Sequence, residues 1–180
     1  GASKDQAKNT GATPLFIASQ QGHLKVVQAL LAVGASKDKA TNIGATPLLM
    51  ASQEGHVEVV QALLELRADV NASLSIASRH SPLTIAAYQG HEAIARLLAG
   101  AGSDLSYAAL PKCEEPFATK GGAAADIASE KGYLELAQAL LSAGASKIQA
   151  HIDELSIDAA LADSRAGAPQ DAEAFHASSG

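Results

Sequence analysis

Apolar residues in this chain fall in short helical stripes separated by polar, glycine-punctuated stretches. Leu24–Val33 carries Val26, Val27, Leu30 and Leu31 at the spacing of one helix face and stops at Gly34. Ahead of it, Pro14–Gln21 is long enough for two turns of a first helix. Thr13 suits the N-cap of that helix, because its hydroxyl can accept a bond from an orphan amide of the first turn. Pro14 then occupies the first helical position, where a missing N–H costs nothing, and Gly22 follows where a left-handed stop is usual. Ala18 and Ser19 keep one side of this helix small, which allows close approach to a partner. The stretches between such pairs are rich in Ser, Lys, Asp, Asn and Gly and predict a turn or short hairpin. Each unit therefore reads as a helix, a tight turn, an antiparallel helix and a protruding finger.

The unit recurs. Gly1–Val33 laid over Gly34–Leu66 without a gap gives 23 identities in 33 positions, including Ala-Thr-Pro-Leu at Ala12–Leu15 and Ala45–Leu48. Ser81-Pro82-Leu83 and Gly90-His91 mark a third unit, displaced 68 residues from the first. Ile127-Ala128-Ser129, Gly132-Tyr133-Leu134 and Gln138-Ala139-Leu140-Leu141 mark a fourth, displaced by 110. Successive spacings are thus 33, 35 and 42 residues, with insertions of two and nine residues between units. A fixed period of this kind belongs to a stack in which no unit can bury its apolar face alone. Helix pairs are expected near 13–34, 46–67, 81–102 and 123–144. Leu30, Leu63, Leu98 and Leu140 share one position in the second helices and are expected to be buried.

The pattern Gly-x-Thr-Pro-Leu-x-x-Ala-x-x-x-Gly-His-x-x-Val-Val-x-x-Leu-Leu-x-x-Gly-Ala resembles the ankyrin repeat, over roughly residues 1–147. The resemblance implies an all-α ankyrin-repeat solenoid of stacked helix–turn–helix units with protruding hairpin or loop fingers. The tetratricopeptide repeat has a similar period, but its Trp is missing altogether. Where the family usually has His after Thr-Pro-Leu, this chain has Phe16, Leu49, Thr84 and Asp126. That departure touches hydrogen bonds local to the helix start and leaves the fold unaffected.

The resemblance also implies a function. Such arrays are non-catalytic protein–protein interaction modules, and partners meet the finger tips and the exposed end of the first helix, on the concave side. Matching positions in the first unit are Asn9, Thr10, Ala12, Gln20 and Gln21, and in the second Asn42, Ile43, Ala45, Gln53 and Glu54. The third unit contributes Arg79, His80, Tyr88 and Gln89, and the fourth Thr119, Lys120, Glu130 and Lys131. Gln20, Gln53 and Tyr88 share one slot, and the aromatic at that slot is the expected anchor. Lys25, Glu58 and Glu135 recur on the second helices and are expected on a solvated side. The alternative is an accessory or regulatory domain of a larger enzyme or channel whose working part lies elsewhere.

Chemistry beyond binding finds little support. His23, His56 and His91 repeat just after the helix-stopping Gly, and stacked repeats hold equivalent residues on the order of 10 Å apart, too far for shared ligation. They are read as structural, with Tyr133 filling the same slot in the fourth unit. No cofactor and no metal site is expected. Asn71-Ala72-Ser73 fits a glycosylation sequon, and Gly121-Gly122 lacks the Lys and Ser/Thr of a phosphate loop. The inserted finger Ser103–Gly122 reads either as a partner-binding loop or as a tolerated insertion whose Leu110 and Phe117 tuck against the stack. Its Cys113 stands beside Glu114 and Glu115, whose charge disfavours a thiolate.

Composition narrows the classes further. The 180 residues are 47% hydrophobic but only 3% aromatic, which suits thin layers packed through Ala, Val and Leu. There is no run of eighteen apolar residues, so membrane insertion is not expected. A net charge of −6 without basic clusters is a poor match to nucleic acid, leaving another protein as the expected partner and a monomer as the expected state. The single cysteine excludes an internal disulfide and fits a reducing, cytoplasmic location. Gly1 falls where Gly34 ends a second helix and no Met precedes it, so the array is expected to have been taken from a longer one.

Residues 148–180 differ in character. They hold six of the nineteen acids and one of the thirteen bases, leaving thirteen acids against twelve bases in the array. Ile148, Ile152, Leu155, Ala159 and Leu161 are placed to line one face of a helix, either a cap over 148–163 or a degenerate fifth unit. Beyond Ala166 the composition predicts an acidic, disordered tail. Phe175 is its only large apolar residue, too little to offset ordering at about 1–2 kcal/mol per residue. Deleting 167–180 should leave the melting temperature unchanged, whereas deleting 148–180 should lower it. Equal losses from the two deletions, measured by thermal scanning, would place the boundary elsewhere.

Overall fold

The computed structural model describes residues 4–72, 80–105 and 123–144. Each first helix begins the same way. Thr13 Oγ1 accepts from Phe16 N at 3.1 Å, Thr46 Oγ1 from Leu49 N at 3.2 Å, and Ser81 Oγ from Thr84 N at 3.2 Å. A proline follows each cap, giving α1 (Pro14–Gln20), α3 (Pro47–Glu54) and α5 (Pro82–Gln89). The fourth, α7 (Ala124–Glu130), has Ala123 at the cap position, and there Asp126 Oδ2 accepts from Ala123 N at 3.1 Å. Gly22, Gly55, Gly90 and Gly132, all with φ between +71° and +84°, turn the chain into the second helices. These are α2 (Leu24–Ala32), α4 (Val57–Glu65), α6 (Glu92–Gly100) and α8 (134–144). All described helices are α-helical, and no strand occurs among the described residues.

The chain divides into two compact units, Gly1–Gly144 and Ala145–Gly180. The second lies outside the described residues, as do the expected cap at 148–163, the acidic tail, and Leu110, Cys113 and Phe117. Within the first unit the helices form two layers. One layer runs α1, α3, α5, α7 side by side, and in the other α2, α4 and α6 each fold back on their own partner.

Leucines of the first helices (Leu15, Leu48, Leu83) and of the second (Leu63, Leu98, Leu140) are buried in one continuous core. Leu30 differs from its equivalents: it is only half-buried, because no described unit packs on the outer side of α2. A second apolar cluster gathers Ala12, Phe16, Ala45, Leu49, Met50 and Ile85 near the helix starts. Here the slot that departs from the family pattern finds two uses. Phe16 and Leu49 fill the cluster, whereas Thr84 closes a reciprocal cap in which Ser81 N donates to its Oγ1 at 2.9 Å.

Two ladders tie unit to unit. In the first, the His56 ring lies on Gly22 of the preceding unit and bonds Gln20 O through Nε2 at 3.0 Å. His91 repeats this on Gly55 and Gln53 O, again at 3.0 Å, and the Tyr133 ring covers Gly90. A Cβ added to Gly22, Gly55 or Gly90 would come within 2.5–2.8 Å of these rings. His56 and His91 are thus structural. The second ladder runs at the far end of the second helices. Asp5 Oδ1 accepts from Ser36 N, Asp38 Oδ1 from Asp69 N, and Asn71 Oδ1 from Asp104 N, each at 2.9 Å. Asn71, the sequon residue, is thus engaged as a rung.

Truncating Leu63, enclosed on both sides, should cost about 2–5 kcal/mol, and Leu30→Ala distinctly less. Because stability in a stack is a sum of unit and neighbour terms, Leu63→Ala should also broaden or split the transition. Urea unfolding curves check this, and equal losses at the two sites would contradict the register.

Candidate functional site

The finger of the first unit is closed by its own backbone. Lys8 N donates to Ala12 O at 2.9 Å and Gly11 N to Lys8 O at 2.8 Å, with Gly11 at φ +81°. The second finger repeats the pattern with Thr41, Ala45 and Gly44. Asn42 then joins the two: its N donates to Thr10 O at 3.0 Å and its Nδ2 to Asn9 O at 2.9 Å. A Cβ on Gly11 would meet Asn42 N at 2.9 Å, so glycine is required by the close approach of the fingers as well as by φ. Asn9, Thr10 and Asn42 remain exposed, and Ile43 at the second tip is 64% exposed.

Three expected contact residues are not on the surface. Ala12, Ala45 and His80 are 8%, 1% and 4% exposed. All three directly precede the N-cap, a position from which a side chain packs onto the fourth helical residue. Ala12 with Ile17, and Ala45 with Met50, share the second apolar cluster in this way. Burial pushes the His80 imidazole below its ordinary value of 6.5. Arg79, Thr119 and Lys120 lie outside the described residues.

The ends of the first helices present the rest. Gln20, Gln21, Glu54, Gln89, Glu130 and Lys131 are exposed, and Gln53 is half-buried with its Nε2 donating to Glu54 Oε1 at 3.0 Å. Tyr88 is half-buried against the main core, and Lys131 of the next unit sets its Nζ 3.9 Å from the ring centroid. A contact of this kind is worth about 0.5–1 kcal/mol where partly exposed. The structure thus brings Tyr88 and Lys131, from units three and four, into one feature. Sequence reasoning placed both on the surface but missed their pairing, since nothing in either helix alone signals it. It also missed the ladder from Asp5, Asp38 and Asn71, although the 33-residue recurrence of Gly-Ala-Ser-Lys-Asp carried the signal.

The main chain beneath Gln20 and Gln53 is held by the histidine ladder. Gln20, Gln53 and Tyr88 share one slot in successive units, and the Lys131 ammonium stands over the last of them. Among the described residues no cluster of three His, Cys, Asp or Glu side chains can hold a metal ion. Nor is any described helix long and apolar enough to cross a membrane.

Residues 1–74 match the family model of ankyrin repeats in three copies. Over those residues the chain is similar to ankyrin repeats. Ankyrin repeats are in general protein–protein interaction modules and typically non-catalytic. No curated protein matches the chain.

His80 gives this array a pH dependence of definite sign. Its folded value is lowered, so below about pH 6.5 the unfolded chain takes up a proton that the folded one resists. Its share of stability is complete above 6.5 and falls as the pH drops through that value, by at most about 1.4 kcal/mol per pH unit. An NMR titration should find the His80 ring with a midpoint under 6.5. A midpoint above that figure would reverse the sign.

Proposed function

We propose that this array is a non-catalytic interaction module whose protein partner lies along the finger tips and first-helix ends, anchored at Tyr88. The observation that carries the reading is the row itself. Gln20, Gln53 and Tyr88 occupy one slot in successive units, and inter-unit bonds hold the backbone beneath the first two. A partner then meets groups whose spacing is already set, which lowers the ordering cost of binding. Tyr88 offers an aromatic face with few rotors to freeze, and Lys131 beside it adds a cation at the same spot. Asn9, Thr10, Asn42 and Ile43 extend the surface onto the bonded pair of fingers, with Ile43 as its apolar tip.

Lys25, Glu58 and Glu135 are exposed on the second helices and scattered in sign. The same reading takes the chain to be monomeric and intracellular, supported by its single cysteine. The array extends to about residue 147 in this reading.

A protein retained on the immobilised chain from a lysate of the source organism serves as the probe. Tyr88→Ala should weaken its binding by more than about 1 kcal/mol, and Glu58→Ala by less than about 0.5 kcal/mol. Loss of the partner on the Glu58 change, with Tyr88→Ala binding normally, would move the working surface to the second helices.

A further inference from the structure

Charge is divided unevenly along the array. Residues 1–53 hold five lysines against two carboxylates, Asp5 and Asp38, and no glutamate precedes Glu54. Residues 54–147 hold seven bases against eleven acids. Four of the five lysines, Lys4, Lys8, Lys37 and Lys39, belong to the first two fingers and their bases. Both carboxylates there are already engaged. Asp5 Oδ1 accepts from Ser36 N at 2.9 Å. Asp38 Oδ1 accepts from Asp69 N at 2.9 Å, and its Oδ2 pairs with Lys37 Nζ at 2.8 Å. Lys4 Nζ and Lys39 Nζ donate instead to main-chain carbonyls, Val33 O at 2.9 Å and Asp5 O at 3.2 Å, which leave their charge uncompensated. Lys4, Lys8 and Lys39 are exposed, and none has a carboxylate partner among the described residues. The two fingers are joined at the tip by the Asn42 bonds and at the base by Lys39 and Asp5. Ile43 stands at the joined tip as an exposed aliphatic side chain.

We propose that the joined fingers of the first two units dock an acidic protein segment that carries a large aliphatic side chain. Its carboxylates meet Lys4, Lys8 and Lys39, and its aliphatic group covers Ile43. Two of these ammonium groups are already held on carbonyls, so they lose little freedom when a carboxylate arrives. Their uncompensated charge steers an acidic chain toward the fingers and repels a basic one. The apolar contact at Ile43 separates such a segment from a plain polyanion. This inference rests on the finger part of the surface proposed above and is independent of Tyr88.

Fluorescence anisotropy with the 180-residue chain and a labelled peptide of glutamates around a central leucine is the test. The same peptide with lysines for glutamates, and a labelled DNA duplex, are the comparisons. The acidic peptide should bind at least about tenfold more tightly than the basic one, and should lose about tenfold between about 50 and 300 mM NaCl. Lys8→Glu with Lys39→Glu should weaken it at least about tenfold, and Ile43→Ser about fivefold. Lys8→Arg with Lys39→Arg should retain it, which separates lost charge from a disturbed fold. Lys25→Glu, on α2 and off the fingers, should change it by less than about twofold. Equal binding of the two peptides, or equal losses at Lys25 and at the finger lysines, overturns the proposal. So does DNA binding that exceeds the peptide's and ignores Ile43→Ser. A lysate partner that depends on Tyr88 while the acidic peptide fails to bind overturns the finger inference alone. Peptide binding at the finger lysines, with a partner indifferent to Tyr88, upholds the fingers and overturns the Tyr88 anchor.

Discussion

A ring laid on a glycine is the contact on which this stack depends. At Gly22 and Gly55 the same residue answers two separate demands. It must take a left-handed backbone to turn the chain between helices, and it must lack a Cβ so that the next unit's imidazole can rest on it. The ring then reaches past the glycine to a carbonyl that the helix end would otherwise leave without a partner. One residue pair thereby terminates a helix, sets the distance between units and satisfies a backbone acceptor. The leucine core supplies most of the apolar burial, but leucine packing alone is non-directional. The rings add the direction.

At the other end of the second helices, Asp5, Asp38 and Asn71 perform a comparable task with carboxylate or amide oxygens on the next unit's backbone amide. Each unit is thus pinned to its neighbour at two well-separated points besides the core. The pinning weakens along the chain. Tyr133 keeps the ring over Gly90 without an imidazole nitrogen, and α7 starts from an alanine without a side-chain cap. The first two units, by contrast, also share the Asn42 bonds between fingers.

What the sequence made legible was whatever one unit decides for itself. Thr13, Thr46 and Ser81 cap as their hydroxyls and following prolines require, and Leu63, Leu98 and Leu140 are buried as their helical stripe requires. Two of the three recurrent histidines, His56 and His91, were recognisable as structural from their spacing. What remained hidden depends on a neighbour or on the turn of the backbone. Leu30 obeys the same stripe as Leu63 yet stays half-buried for want of a unit beside it. Ala12, Ala45 and His80 stand in finger register, but the residue before an N-cap is turned inward, so a single misjudged position recurs three times. The Tyr88–Lys131 contact joins helices 43 residues apart in the chain and has no local signature.

The spacing of the ring contacts has a consequence for how such a chain can change over time. His56 lies 34 residues after Gly22, His91 36 after Gly55, and Tyr133 43 after Gly90, yet each pair meets in the same way. The added residues enter the energetics mainly as extra length of loop, and closing 43 residues in place of 34 costs only about 0.2 kcal/mol. Length between units is therefore nearly free to drift, while the glycine and the ring are not. New sequence can accumulate in the fingers without any retuning of the core.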